Sequence, residues 1–458
     1  MLNNEYTSYY KLVSFFQDRD ISGFDKEKKA IALLNNELEK VQVNELFTDD
    51  NIEIIVEWYK NENYQVCQKY QEYLSQRKSG AERLYFKNIG QAFEFLIKIS
   101  PTKMVDGAWL YSIVHYWNDP AFHDLILIYL EELGLGRAKS NHVCIYDDLL
   151  RLLGLNDFEA FLDDKFYHQA AIQLALGYAP PEFIPEIIGF NLGYEQLPLH
   201  LLISNYELSE LGINSQYFNL HITIDNLDNG HSDKSLKIFK KFYGKYKDKV
   251  NFIEKVRRGY ALNLQGLTST QIIQNLNLES FVYKIFKRKA LIGQFVHSER
   301  QIIGCKAINE WLANPEKIED FISQLVRNQW IEFNTDPEKN RFWQLINNEN
   351  GKMFGVFSSV EKQFIHDWIA GDQYSSQYLP YSKTFSKAEP LHDYLFNYVS
   401  DDELENLQRH INSTENLASK LCKLTPFLSP NFHHKNMGLW STQKYVELLF
   451  PYLVSSST

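Results

Sequence analysis

The stretch AFHDLILIYLEELGLG, residues 121–136, carries the clearest helical pattern in this chain. Its apolar positions recur at the spacing of one helix face: Phe122, Leu125, Ile126, Tyr129 and Leu130. Gly134 and Gly136 predict that the helix ends there. Glu132 continues the same apolar stripe, although an ionised carboxylate is almost never fully buried without a partner or a metal. Residues 121–136 therefore predict both a helix and a buried acid.

Helical spacing continues along most of the chain, and few alternating runs suggest strands. Ser140-Asn141 is a plausible N-cap for a helix that runs to Leu153 and closes at Gly154. The other helices are predicted at 25–46, 51–77, 182–211, 215–226 and 231–264. One hairpin is predicted in the later part, with residues 330–333 paired to 342–345. The fold class is therefore predicted to be mainly all-α.

The length of 458 residues exceeds the size at which one hydrophobic core stops growing, which favours two domains. The character of the sequence changes near 266–270, so the boundary is predicted to separate residues 1–265 from 266–458. The second region, mostly helical, offers no catalytic set of residues. His433 and His434 lie in a loop rich in Pro and Asn and are predicted to be surface residues.

Composition narrows the class of protein. A net charge of −11 argues against a nucleic-acid partner, and the basic run 234–249 fits the solvated side of an amphipathic helix. The four cysteines form no CxxC pair, which argues against a zinc site or disulfides and fits a reducing compartment. Neither a signal peptide nor an apolar run of about 18 residues is evident. We expect a cytoplasmic protein without a membrane partner.

Six donors stand in apolar surroundings on successive predicted helices: Glu132, His142, Glu195, His221, Asp225 and His231. His142 precedes Ile145 and Leu149 on a buried stripe, and Glu195 lies between Leu192 and Leu199 on another. His221 and Asp225 are one turn apart. Oxygen and nitrogen donors that converge inside a helical bundle are a recognised way to hold two iron or manganese ions.

Each donor also has a simpler interpretation. A single buried histidine is usually a hydrogen-bonded core residue, and His221 with Asp225 could be a plain helical ion pair. Glu132 next to a glycine turn would ordinarily lie at an exposed helix end. Two other classes of protein therefore stay open: a non-catalytic helical interaction or scaffold protein, and a heme-binding protein with His142 or His221 as axial ligand.

Three segments resemble the heme-oxygenase-like diiron oxidases, and more narrowly the iron-containing redox enzymes: 131–146, 189–195 and 221–231. The resemblance implies a heme-oxygenase-like helical bundle with two Fe(II), or Mn, ions, held by Glu132 and His142, by Glu195, and by His221 and Asp225. The family's last histidine would fall at 228, where this chain has Asp228. We favour His231 there and keep Asp228 open. Asp106 is a further candidate, although its interpretation as a helix N-cap is preferred.

The resemblance also implies an O2-dependent oxidoreductase that acts on a small organic substrate by N-oxygenation, desaturation or oxidative C–C cleavage. An amino acid or a fatty acid is the expected substrate class. No flavin or nicotinamide motif is present, so electrons are expected from an external donor or from the substrate. The region 270–458 is expected to shape the substrate pocket or a homodimer contact.

Overall fold

Helices follow one another through most of the computed structural model, which describes residues 8–43, 47, 50–225, 230–374 and 401–455. The α-helices are α1 (Tyr9–Gln17), α2 (Gly23–Lys40), α3 (Ile52–Lys78), α4 (Ile89–Lys103), α5 (His123–Glu132), α6 (His142–Leu153), α7 (His168–Gly177), α8 (Ile184–Tyr194), α9 (Leu199–Glu210), α10 (Gln216–Ile224), α11 (His231–Lys245), α12 (Lys249–Ala261), α13 (Ser269–Gln274), α14 (Leu278–Gly293), α15 (Ile308–Leu312), α16 (Ile318–Arg327), α17 (Arg341–Asn347), α18 (Ser359–Tyr374), α19 (Asp401–Asn412), α20 (Leu417–Leu424) and α21 (Asn436–Ser455).

Short elements join these helices. The 3₁₀ helices span Ala108–Tyr116, Gly134–Gly136, Ala138–Ser140, Asn156–Phe161, Asp164–Tyr167, Pro181–Phe183, Leu262–Leu264, Pro315–Lys317, Pro337–Lys339 and Thr425–Leu428. Two strands of two residues each, Ile302–Ile303 and Lys306–Ala307, pair in antiparallel fashion. The predicted all-α class is confirmed.

Helix α6 shows how the local sequence produces its element. The side chain of Asn141 accepts a hydrogen bond from the backbone N–H of Cys144 and caps the first turn. Gly154 ends the helix in the left-handed region with φ of 69°, which a glycine adopts without steric cost. Ile145 and Leu149 are buried, so the predicted helix and its apolar stripe are both confirmed.

The helix predicted over 182–211 is wrong in one respect, because the chain breaks it into α8 and α9. Pro198 precedes α9, and a proline has no N–H to continue a helix and disfavours the helical conformation of the residue before it. Glu195 is the C-cap of α8 and not the middle of a longer helix. The single helix predicted over 231–264 is likewise two helices, α11 and α12, with Asp248 as the N-cap of the second.

The predicted hairpin of residues 330–333 with 342–345 is also wrong. The backbone N–H of Phe342 does bond to the carbonyl of Trp330, but residues 341–347 form helix α17. Asn340 caps this helix by accepting from the N–H of Trp343. Phe342 and Ile346, which are four residues apart, are buried together, so a helical period has overridden the aromatic strand signal.

Two buried apolar clusters organise the described chain. The first contains side chains of α1–α3, α5, α7, α8, α11, α12 and the C-terminal helices α19–α21. The second contains side chains of α4, α6, α9, α10 and α13–α18. Residues 272–369 therefore share the second cluster and residues 411–449 the first. The predicted boundary between 1–265 and 266–458 stays a prediction.

Within the described residues, no helix combines the length and the apolar character required to span a bilayer. The cysteines Cys67, Cys144, Cys305 and Cys422 are all free thiols.

Candidate metal centre

A tight turn brings Glu132 and His142 together. Glu132 is the last residue of α5 and His142 the first of α6, and between them Leu133 pairs with Asn141 as an isolated antiparallel bridge. The turn needs Gly134, which has φ of 63° and whose added Cβ would lie 2.3 Å from the backbone nitrogen of Asn141. Glu132 and His142 are both almost fully buried.

Asp106 joins them, so its interpretation as a helix N-cap is wrong. The N-cap position of the following 3₁₀ helix is Gly107, without any side-chain capping bond. Glu132 packs directly on that glycine, where an added Cβ would lie 2.9 Å from the Cβ of Glu132. The Asp106 carboxylate accepts a hydrogen bond of 2.5 Å from the hydroxyl of Tyr217, and its Oδ2 lies 3.2 Å from Nε2 of His221.

The first group of donors consists of Asp106, Glu132, His142 and His221, each with one ligand atom within 4.8 Å of the others. Nδ1 of His142 lies 2.6 Å from Oε2 of Glu132 and 3.7 Å from Oδ2 of Asp106. Nδ1 of His221 lies 2.8 Å from the carbonyl of Tyr217, which can only accept, so this nitrogen carries the proton. Nε2 of His221, the ring nitrogen that faces Asp106, is therefore the one that would bind a metal.

The second group shares Glu132 and adds Glu195 and His231, and we include Asp225 in it because this carboxylate also contacts His231. Nδ1 of His231 lies 3.3 Å from Oε1 of Glu132, 3.1 Å from Oε2 of Glu195 and 3.4 Å from Oδ1 of Asp225. Because Oε2 of Glu132 faces the first group and Oε1 the second, this carboxylate lies between the two. All six donors named from the sequence thus lie together, with Asp106 as a seventh.

Residues outside the two groups orient the histidines. Nε2 of His231 lies 2.8 Å from the carboxylate of Glu131, to which Lys234 donates at 2.6 Å. A carboxylate that accepts from one ring nitrogen leaves the other nitrogen for a metal. Lys103 is buried and donates to the hydroxyl of Tyr194 at 3.2 Å, close to Asp106. Neither Lys103 nor Tyr217 was predicted from the sequence, although Tyr217 lies one turn before His221 on the same helix face.

Five buried donor atoms at this centre have no hydrogen-bond partner among the described residues, one from each of five side chains: Oδ1 of Asp106, Oε2 of Glu132, Nδ1 of His142, Oε1 of Glu195 and Oδ1 of Asp225. The 2.6 Å contact of Glu132 with His142 is therefore a close approach without hydrogen-bond geometry. Leaving a buried polar atom unsatisfied costs about 1–3 kcal/mol. Oxygen and imidazole donors that need a partner fit iron or manganese.

The crowded charges shift the pKa values of these groups. Burial raises the pKa of Glu132, but the neighbouring His142 and His231 outweigh it and lower the pKa to about 2. Burial lowers the pKa of His142, whereas Glu132 and Asp106 raise it to about 10. Burial, together with Asp225 and Glu132, raises the pKa of Glu195 to about 8 against the attraction of His231. Without a bound cation, His142 and Glu195 therefore keep their protons at neutral pH.

Chain geometry brings His231 to the centre. Helix α10 ends at Ile224, and His231 returns to the centre as the first residue of α11. Its side chain is 2% exposed. The alternative ligand, Asp228, lies outside the residues that the structure describes.

A cavity of about 340 Å³ adjoins the centre. His142 and His231 contribute to its wall, together with apolar side chains such as Leu135 and Leu220. Arg137 also lines it and is exposed, and among the described residues its guanidinium has no ion pair. An open cationic group and an apolar wall thus border the candidate centre.

Residues 93–264 match the model of a family described as iron-containing redox enzymes. The match contains all seven donors, from Asp106 to His231. No curated protein and no solved structure matches the chain significantly. The family match confirms the resemblance to the heme-oxygenase-like superfamily and the corresponding all-α fold, and it supports an iron-dependent oxidoreductase.

Proposed function

We propose that this relative of the iron-containing redox enzymes is a non-heme diiron oxidase that uses O2 to oxidise a small organic substrate. The observation that carries the proposal is the set of five buried, unpartnered donor atoms arranged in two groups around Glu132. Two Fe(II) ions, or Mn in their place, would supply the electrons with which O2 is reduced at such a centre.

Each side chain has a distinct part in this proposal. Asp106, His142 and His221 would hold one ion, and Glu195, Asp225 and His231 the other, with Glu132 between them. The carbonyl of Tyr217 and the carboxylate of Glu131 fix the orientation of His221 and His231. Such outer hydrogen bonds set which ring nitrogen faces the metal.

The cavity next to His142 and His231 supports a small substrate with an acidic group. Arg137 is placed to pair with a carboxylate at the rim, and Leu135 and Leu220 offer apolar contact to the rest of the molecule. An amino acid or a fatty acid has this chemistry. N-oxygenation, desaturation and oxidative C–C cleavage stay alternatives for the reaction, because fold does not determine substrate chemistry.

The two other classes of protein fit the geometry less well. An axial heme ligand needs a ring nitrogen that faces the porphyrin, but Nδ1 of His221 lies against the carbonyl of Tyr217 and its Nε2 against Asp106. A scaffold would pair its buried acids with Arg or Lys. Among the described residues, Lys103 lies near Asp106 but donates to Tyr194, and Lys234 pairs with Glu131, so neither forms an ion pair with the acids of the two groups.

Anaerobic loading with Fe(II), followed by elemental analysis and absorption spectroscopy, tests the proposal. We expect about two irons per chain, no Soret band, and O2 consumption that the reduced, loaded protein supports. His221→Ala should remain folded and bind less iron. Purified protein that takes up no iron would overturn the proposal in favour of a scaffold, and a Soret band would overturn it in favour of heme.

The proposal also covers the localisation of the protein and the source of its electrons. We propose a cytoplasmic enzyme that receives electrons from an external donor or from its substrate. The free cysteines are consistent with a reducing compartment. A homodimer stays a prediction for the region 266–458.

A further inference from the structure

The C-terminal helices pack on the turn that joins Glu132 to His142. Helix α21 lies so close to Gly136 that an added Cβ would stand 2.5 Å from the backbone nitrogen of Gln443 and the carbonyl of Leu439. The hydroxyl of Tyr129, one turn before Glu132, donates to the carbonyl of Leu428 at 2.5 Å. The segment 401–455, which lies outside the matched region 93–264, thus contacts the candidate centre's own loop.

Within this segment, His433 makes a polar contact with the residue next to His142. The prediction that it is a surface residue is wrong, since it is 1% exposed. Its Nδ1 lies 3.1 Å from Nδ2 of Asn141, the N-cap residue that immediately precedes His142. His434, predicted in the same way, is partly exposed, and its carbonyl accepts a hydrogen bond from the thiol of Cys144 in α6.

The direction of this hydrogen bond follows from the helix cap. Oδ1 of Asn141 accepts from the N–H of Cys144, which orients the amide so that Nδ2 donates to His433 and to the carbonyl of Leu133. Nδ1 of His433 is therefore the acceptor, and the proton of the neutral ring lies on Nε2. Burial, with His434 and His142 nearby, holds the pKa of His433 well below its usual range, which keeps the ring neutral.

Nε2 of His433 is buried without a hydrogen-bond partner among the described residues. The ring also interacts electrostatically with His142, Asp106 and Glu132, which places it beside the first group of donors. A neutral imidazole there adds no charge to a centre that already contains two carboxylates. What the ring does contribute is a hydrogen-bond acceptor, Nδ1, which holds the side-chain amide of Asn141 in place.

We propose that the segment 401–455 is an integral part of the metal centre, in which His433 is a positioning residue that fixes Asn141 and thereby His142. This inference rests on the proposed function, because it concerns a ligand of the first ion. The side chain of Asn141, the residue before His142, is held by hydrogen bonds to three residues: Cys144, His433 and Leu133. These bonds help to keep Nδ1 of His142 at 2.6 Å from Oε2 of Glu132. Removing one of these bonds loosens the ligand before any metal binds.

Anaerobic titration of the full chain with Co(II), read from its visible ligand-field spectrum, tests this role. His433→Leu removes the acceptor, whereas His433→Asn has nearly the same size and keeps an acceptor oxygen close to the position of Nδ1. His434→Leu is the matched control. We expect His433→Leu to lose about tenfold or more in affinity for one of two Co(II) ions with an altered spectrum. His433→Asn and His434→Leu should titrate within about threefold of the unmodified chain.

Thermal unfolding of each metal-free variant checks that the fold persists. If His433→Leu does not fold, Asn141→Ser decides, because serine retains a capping oxygen but has no amide to hold His433. Loss of one Co(II) in Asn141→Ser then supports the role. Two Co(II) ions bound as tightly by His433→Leu as by the unmodified chain would overturn this inference alone. An unmodified chain that binds no Co(II) and no Fe(II) would overturn the diiron proposal with it.

Discussion

The two groups of donors around Glu132 use the same chemistry but stand on different supports. In the first, His142 is the first residue of α6 and His221 lies in the last turn of α10, while Tyr217 bonds to both Asp106 and His221. In the second, every other donor lies at a helix end: Glu195 is the C-cap of α8, Asp225 the C-cap of α10, and His231 the first residue of α11. Both groups therefore use helix ends. They differ in that Tyr217 fixes two donors of the first, Asp106 and His221, whereas the acids Glu195 and Asp225 of the second contact His231.

Electrostatics distinguishes them as well. The C-terminus of a helix carries partial negative charge, so Glu195 and Asp225 add carboxylates where anions are least favoured. Burial and these neighbours raise the pKa of Glu195 to about 8. A cation at this place relieves repulsion between the two acids and the helix ends. The first group thus has donors that Tyr217 holds in place, whereas the second brings together carboxylates whose repulsion a bound cation would relieve. We therefore expect the first ion to bind more tightly.

The largest effect is expected for Glu132→Gln, because this carboxylate alone faces both groups. The variant should lose both ions, with an affinity at least about 100-fold lower for each. Elemental analysis after anaerobic loading measures this. Glu186→Gln is the matched control, a buried acid paired with Lys255 away from the centre, and should bind two irons. A Glu132→Gln protein that holds two irons would show that the groups are independent.

Asp225→Ala tests whether the two groups bind their metal ions independently. The variant removes a donor of the second group only, so we expect the iron content to fall from about two to about one per chain while the protein remains folded. The remaining ion should keep its affinity, since Asp106, His142 and His221 are untouched. Loss of both ions would contradict the separation, and full retention would remove Asp225 from the centre.

A smaller effect is expected for Glu131→Gln, which weakens the carboxylate that orients His231. Outer-shell partners of histidine ligands are typically worth about 10–100-fold in metal affinity. We therefore expect the second ion to bind about tenfold more weakly and the first to be unchanged, as measured by Co(II) titration. Equal weakening of both ions would show that Glu131 acts on Glu132 and not on His231.

The smallest effect is a pH dependence of the metal-free protein. Folded Glu195 keeps its proton up to about pH 8 instead of 4.5, and folded His142 keeps its proton up to about pH 10 instead of 6.5. Above pH 6.5 the folded state thus binds more protons than the unfolded chain, so the free energy of unfolding falls as pH rises. We expect Tm of the metal-free protein to drop by a few degrees between pH 6.5 and 9.

Calorimetry with and without Co(II) measures this dependence. The cations replace the protons of His142 and Glu195, so the loaded protein should gain stability over the same pH interval. Glu195→Gln should flatten part of the metal-free profile, because its amide does not titrate. A Tm of the metal-free protein that rises with pH would contradict the assignment of protons to this centre.

Local sequence predicted most of the helices and the polar residues placed in their apolar stripes, although it missed the breaks within 182–211 and 231–264. The cap at Asn141, the end at Gly154 and the burial of Glu132, His142 and His221 follow from local spacing, because periodicity reports which side of a helix faces the core. Glu195, Asp225 and His231 are also buried, but at helix ends, where tertiary packing covers them. That these six bind metal stays a prediction, although the structure gathers their donor atoms.

Which residues from distant parts of the chain lie at the centre depends on tertiary packing. Asp106 looked like a helix cap and His433 like a surface residue, since neither lies in an apolar stripe. Asp106 meets Tyr217, and His433 meets Asn141 across nearly 300 residues of chain. Local patterns carry no information about contacts at such separations, because these depend on how helices pack against one another and not on the period of any one of them.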